Sequence, residues 1–196
     1  MQKEHQMEHR VTYFEAGGPE HTDTTLDLAF ATLSDLGLSY LVVASGGRTV
    51  LAAAQRAAAT GRTDVKVVGV TLQAGTWAQY GEPDRSLLSE ARDLGAEVIT
   101  CTHSLMGNVE SAIRAKFGGM PPVELIAHTL YMFSQGTKVA VEIVLSAVDA
   151  GVVPAGTDVV SVAGTGGGAD TAYVITAAST VDFFDLRVKR MICKPL

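Results

Sequence analysis

A glycine-rich loop over residues 45–49 has the residue types that bind an anion. Ser45, Gly46, Gly47, Arg48 and Thr49 lie between a predicted buried strand and the first turn of a predicted helix. Glycines let a ligand approach the backbone, and the unpaired amides of a helix N-terminus attract negative charge. The two hydroxyls add donors, and the Arg48 guanidinium can bind a phosphate through two N–H groups. We therefore predict an anion site here, with a tight turn and a solvated Arg48 as the alternative.

A second glycine-rich loop follows the fourth predicted strand. Its residues are Gly164, Thr165, Gly166, Gly167, Gly168, Ala169, Asp170 and Thr171. The loop matches the G-x-G-x-x-A dinucleotide pattern, but a strand follows it where that pattern requires a helix. Two interpretations remain: a loop whose amides surround a phosphate, or a hairpin turn that needs several left-handed residues.

Two further groups could contribute to a site at the same sheet edge. His103 follows the third predicted strand and could act as an acid or base, although an ordinary loop histidine is the more common case. Lys138, Glu142 and Asp149 share one face of an otherwise apolar helix. An exposed stripe on that helix is favoured over a polar wall of a pocket.

Trp77 and Tyr80 lie in the long segment after the second predicted strand. They could stack on a flat ligand ring, fill an edge of the core or form a subunit contact. Cys101 and His103 are two possible metal ligands without a visible third, so no metal site is predicted.

The elements that position these residues alternate between β-branched runs and helical patterns. Strands are predicted over residues 40–44, 65–70, 97–101, 158–163 and 171–176. Helices are predicted over residues 22–36, 49–59, 84–94, 108–117, 123–133 and 137–150. The last strand follows its predecessor too closely for a parallel crossover, so we expect it to be antiparallel at the sheet edge. Residues 183–196 are expected to form an extended or irregular tail.

Composition limits the class of protein and its partners. The 196 residues, 47% of them apolar, indicate a single globular α/β domain behind a polar tail over residues 1–10. A net charge of -6 argues against nucleic acid, and no apolar run approaches the roughly 18 residues of a membrane span. Two cysteines are too few for a disulfide framework, which favours the cytoplasm. The apolar composition also predicts a homo-oligomer.

Both glycine loops resemble segments of the C-terminal domain of pyruvate kinase. Residues 41–49 are similar to its strand-to-helix segment T-x-S-G-R-[ST]-A, and residues 156–171 to its hairpin G-D-x-V-x-V-x-x-G … G-x-T-N. The chain from about residue 13 to 186 also resembles small stand-alone proteins of that superfamily, whose activity is not settled. The shared stretches are Tyr13-Phe-Glu15, Phe117-Gly-Gly119, Ser134-Gln-Gly136, Val141-Glu-Ile143, Gly168-Ala-Asp-Thr171 and Phe184-Asp-Leu186.

This resemblance implies a three-layer α/β/α sandwich with five main strands in the order 3-2-1-4-5, the fifth antiparallel. The order reverses between strands 1 and 4, so both glycine loops are expected to face one crevice. In pyruvate kinase the similar loops bind phosphate in the allosteric sugar-bisphosphate site. The matching residues are Ser45, Gly46, Arg48, Thr49, Gly166, Gly168 and Thr171. Gly47 and Asp170 depart from the family pattern, and the catalytic barrel is absent.

The expected function is binding of a small phosphorylated ligand, with flavin mononucleotide (FMN) favoured over a sugar bisphosphate. A bisphosphate would need a second cation besides Arg48, and the charge of Asp170 would repel a second phosphate. The alternative is an enzyme acting on such a ligand with His103, Glu142 or Asp170 as acid or base.

Overall fold

The computed structural model describes residues 8–196, so most of the predicted polar tail over residues 1–10 lies outside the described residues. The described strands are β1 Thr12–Phe14, β2 Tyr40–Ala44, β3 Lys66–Thr71, β4 Glu97–Thr100, β5 Asp158–Ala163, β6 Thr171–Thr176 and β7 Arg187–Pro195. The described α-helices are α1 Thr22–Leu36, α2 Arg48–Ala59, α3 Trp77–Tyr80, α4 Arg85–Asp93, α5 Val109–Phe117, α6 Pro122–Tyr131 and α7 Gln135–Asp149.

The strands form one mixed sheet in the order β1-β7-β6-β5-β2-β3-β4. Strands β2, β3, β4 and β5 are parallel to their neighbours within this group, whereas β6 is antiparallel to β5. The α/β class predicted from the alternating pattern is confirmed. The sheet has seven described strands, where five main strands were expected.

The two additional strands correct the prediction for the C-terminal segment. Residues expected as a tail form β7, which pairs antiparallel with β6 and parallel with β1. Strand β6 therefore lies inside the sheet, and its predicted edge position is wrong. The sequence of β7, RVKRMICKP, contains four cationic residues, and its pairing with β6 includes register shifts. Both features obscure the alternation that identifies a strand.

Two apolar cores lie on opposite faces of the sheet. Because side chains alternate along a strand, Leu41 and Val43 of β2 pack with α1, α2 and α4, while Val42 packs on the other face with α6 and α7. This alternation produces three layers, helix on sheet on helix. The helices on both faces cover a sheet whose central strands are almost fully buried.

Side-chain caps set the starts of three helices close to their predicted positions. Asp84 accepts hydrogen bonds from the second and third amides of α4, Asn108 does the same for α5, and Ser134 caps α7. The C-terminus of α1 is set by Gly37, which adopts a φ of 63°, the left-handed conformation that terminates a helix. The short helix α3 was not predicted, because four residues carry too little periodicity.

Among residues 8–196, no helix combines the length and apolar character needed to cross a bilayer.

Candidate functional site

A cleft of about 590 Å³ opens at the carboxyl edge of the central parallel strands. Strand β2 lies between β3 and β5 in the sheet. After β2, the next two strands of the chain, β3 and β4, lie on one side of it, and β5 lies on the other side. The segments that follow β2, β3 and β5 therefore meet at this edge, as expected where strand order reverses. Both glycine-rich loops line this cleft, although more than a hundred residues separate them in sequence.

Ser45 organises the first loop around the start of α2. Its Oγ accepts hydrogen bonds from the amides of Gly47 and Val50, both at 3.0 Å. The Val50 amide is thereby satisfied, whereas the Arg48 and Thr49 amides at the first helical positions have no intrahelical acceptor. Ser45, Gly46 and Thr49 line the cleft. The loop thus combines hydroxyls with open helix N-terminal amides, which is the chemistry of an anion site.

Gly47 meets a steric requirement of this turn. Its φ is 140°, and a Cβ at this position would lie 3.1 Å from the Cβ of Leu87 on α4. Arg48 is exposed and is not among the residues that line the cleft. A direct contact between Arg48 and a ligand stays a prediction.

The second loop is shaped by three consecutive glycines with positive φ and by one buried carboxylate. Gly166, Gly167 and Gly168 have φ values of 67°, 117° and 65°. Asp170 is fully buried and accepts hydrogen bonds from the amides of Gly18 and Thr165 and from the hydroxyl of Thr171. The carboxylate therefore holds the loop in place without lining the cleft itself, whereas Gly164 and Gly166–Gly168 do line it.

This arrangement changes two expectations for Asp170. Its oxygens are occupied by protein donors at 3.1, 3.0 and 2.6 Å, and it does not line the cleft. A role as acid or base at the ligand is therefore not supported, and neither is repulsion of a second phosphate in the cleft. Thr171 is also fully buried, and Thr165 does not line the cleft.

His103 lies in the cleft wall and is only 5% exposed. Its backbone amide donates to Oε1 of Gln73 at 2.9 Å, which holds the segment after β4 against the segment after β3. The ring Nε2 lies 3.0 Å from the carbonyl oxygen of Thr71. The ring Nδ1 has no hydrogen-bond partner among the described residues.

Lys138 and Glu142 of α7 form a buried ion pair beside His103. Lys138 Nζ donates to Glu142 Oε2 at 2.5 Å, and both residues are 1% exposed and line the cleft. Glu142 Oε1 accepts from the Leu105 amide at 2.7 Å. The predicted exposed stripe is therefore wrong for these two residues and right only for Asp149, which is exposed. Helical periodicity identifies a shared face but does not reveal which neighbours cover it.

Two tyrosines contribute aromatic surface to the cleft. Tyr80 of α3 and Tyr131 of α6 line it, and Lys138 Nζ lies 5.9 Å from the Tyr131 ring centre. Burial, with a further contribution from the charge of Glu142, raises the pKa of the Tyr131 hydroxyl. Trp77 does not line the cleft, because its Nε1 donates to the Leu72 carbonyl at 2.8 Å and anchors α3. Sequence analysis singled out Tyr80 but missed Tyr131.

The site therefore combines two kinds of group. Glycine amides, hydroxyls and the α2 N-terminus can bind an anion, and the two tyrosines with His103, Lys138 and Glu142 add aromatic and ionisable side chains. Within residues 8–196, no three His, Cys, Asp or Glu side chains cluster in a way that could hold a metal ion. Comparison of the chain with protein-family models finds no match.

Proposed function

We propose that this cleft binds a small phosphorylated ligand, and that the ligand is a mononucleotide such as FMN. One observation carries the proposal: both glycine-rich loops line a single cleft that also includes the open N-terminus of α2. Backbone amides at such a terminus stabilise a bound phosphate without a dedicated cation.

The preference for a mononucleotide rests on the charged and aromatic side chains of the cleft. Lys138 is a cation besides Arg48, but its Nζ lies 2.5 Å from Glu142 Oε2, so this ion pair carries no net charge. Glu82 adds a carboxylate to the cleft, and Tyr80 and Tyr131 add aromatic surface. A neutral, planar ring suits these surroundings better than a second phosphate group does.

We also propose that the chain is a stand-alone relative of the pyruvate kinase C-terminal domain. The resemblance implies five strands in the order 3-2-1-4-5, which corresponds to β4-β3-β2-β5-β6 in the present labels. The neighbouring β2 and β5 and the antiparallel β5–β6 hairpin support this assignment. Strands β1 and β7 extend the sheet beyond the five implied strands.

An enzyme acting on the same ligand is a second candidate function. Its support is that a carboxylate lies near a buried histidine, since His103 Nδ1 is 3.6 Å from Glu142 Oε2. Chromatography of the ligand recovered after incubation with the protein distinguishes binding alone from catalysis. Unchanged ligand supports binding alone, whereas conversion that His103→Gln abolishes supports catalysis.

Titration of the full chain with FMN, riboflavin and fructose bisphosphate, followed by fluorescence, tests the proposal. We expect FMN to bind more tightly than riboflavin by about tenfold or more, because riboflavin lacks the charge-assisted hydrogen bonds of the phosphate. Binding of only the bisphosphate would overturn the mononucleotide assignment. Equal affinity for FMN and riboflavin would remove the phosphate site.

A further inference from the structure

His103 holds a buried hydrogen-bond acceptor in the wall of the cleft. The carbonyl oxygen of Thr71, 3.0 Å from Nε2, can only accept, so Nε2 carries the hydrogen of that bond. In a neutral imidazole the lone pair is then on Nδ1. Nδ1 is buried and has no partner among the described residues, although His103 lines an open cleft. A buried nitrogen without a hydrogen bond is costly, so a bound ligand that donates to it gains affinity.

Lys138 presents hydrogen-bond donors at the same place. An ammonium group has three N–H donors, and Glu142 Oε2 is the one acceptor for Nζ within the part of the chain described. Lys138 is 1% exposed and lines the cleft, so its remaining donors have little access to bulk water.

The two groups are positioned by a single oxygen atom. Glu142 Oε2 lies 2.5 Å from Lys138 Nζ and 3.6 Å from His103 Nδ1. The longer distance exceeds that of a hydrogen bond, so Nδ1 remains free. The cleft wall therefore offers an acceptor next to a donor.

We propose that His103 and Lys138 recognise an amide or imide edge on the ligand ring, an inference that rests on the proposed binding of a mononucleotide. A ring N–H donates to Nδ1 of His103, and the adjacent ring carbonyl oxygen accepts from Nζ of Lys138. Flavin and uracil rings carry such an edge. The phosphate end of the ligand lies at the glycine loops and does not take part in this contact.

The test compares FMN with FMN methylated at ring N3, which removes the N–H donor and keeps the phosphate. Calorimetric titration of the full chain is expected to show about a tenfold loss of affinity for the methylated compound, the usual effect of an unsatisfied buried hydrogen-bonding group. Riboflavin, titrated in parallel, reports on the phosphate alone.

His103→Leu separates hydrogen bonding from steric exclusion, because leucine has a similar volume but no acceptor. In this variant we expect FMN and its N3-methyl derivative to bind with equal affinity, while the preference for FMN over riboflavin persists. A penalty for the methyl group that survives in the variant, or no penalty in the unmodified protein, would overturn the ring assignment.

The outcomes also separate this inference from the function on which it rests. Tight FMN binding without an N3-methyl effect rejects the ring contact and leaves the phosphate site intact. Absence of FMN binding rejects the proposed mononucleotide and the ring contact with it. If His103→Leu does not fold, equal binding of FMN and its N3-methyl derivative by the unmodified protein still overturns the inference.

Discussion

Asp170 stabilises the second glycine loop through hydrogen bonds that join three segments of the chain. Its carboxylate accepts from Gly18, Thr165 and Thr171 while fully buried. In Asp170→Asn an amide N–H₂ replaces one oxygen, so the Thr171 hydroxyl must turn to accept from it, and the amides of Gly18 and Thr165 lose a charged acceptor. We expect the free energy of unfolding in urea to fall by about 1–3 kcal/mol.

Asp185→Asn is the matched control, because Asp185 is exposed. Its stability should change by no more than about 0.5 kcal/mol. Equal effects of the two substitutions would contradict the structural role assigned to Asp170.

The two cysteines differ in burial, and we expect a corresponding difference in their reactivity. Burial raises the pKa of Cys193 to about 11, whereas Cys101 is only partly buried. Since the thiolate is the reactive form, we expect one thiol per chain to react with a disulfide reagent in native protein at pH 8. Cys193 should react once the chain is denatured, or as the pH approaches 11. Rapid reaction of two thiols per native chain at pH 8 would contradict this expectation.

The glycine-loop residues that line the cleft were easier to predict from sequence than the helical residues in its wall. Glycines and hydroxyls after a strand indicate an anion site whatever packs around them, so Ser45, Gly46 and Thr49 could be selected directly. Lys138 and Glu142 could not, because their burial depends on the distant segment around His103 that covers α7. The spacing of the two residues alone is equally typical of an exposed ion pair.

The contact between β3 and α2 depends on one glycine in the sheet. A Cβ at Gly69 would lie 2.7 Å from a methyl group of Val50, which is fully buried in the core. Gly69→Ala should therefore displace α2, whose N-terminus forms the proposed phosphate site. We expect a loss of about 1–3 kcal/mol in stability and weaker FMN binding, measured by urea denaturation and calorimetry.

Gly75→Ala provides the control, since no atom lies within 4 Å of a Cβ placed there. That variant should retain stability and affinity close to those of the unmodified chain. A stable Gly69→Ala variant with unchanged FMN affinity would show that α2 does not need this close approach to the sheet.

Elements with strong local signals were predictable, and those that depend on distant partners were not. The β5 and β6 hairpin has β-branched strands and a short link, so its antiparallel pairing follows from sequence. Strand β7 has only a weak alternation of apolar and polar residues. Its position in the sheet depends on pairing with β6 and with the distant β1. Such long-range pairing is invisible to local periodicity.

Among residues 8–196, half of the exposed large apolar side chains lie on α5, on α6 or on the residues that adjoin these two helices. No residue of α5 is buried. Phe117 at the end of α5 is 74% exposed, and Met132, which follows α6, is 83% exposed. An apolar surface of this kind favours self-association, which agrees with the oligomer predicted from composition. We expect sedimentation at micromolar concentration to show a species heavier than the 20.5 kDa chain.

Serine substitutions locate the contact. Phe117→Ser with Met132→Ser should reduce the sedimenting mass to that of one chain, while Phe184→Ser, at an exposed site elsewhere on the surface, should leave it unchanged. A single 20.5 kDa species for the unmodified protein would exclude an oligomer under these conditions.

A crystal structure of the protein grown with FMN tests the central claim most directly. We predict the phosphate within hydrogen-bond distance of the amides of residues 46–49, facing the loop over residues 164–168, and the ring between Tyr80 and Tyr131. Phosphate bound outside this cleft, or FMN absent from it at saturating concentration, would contradict the proposed function.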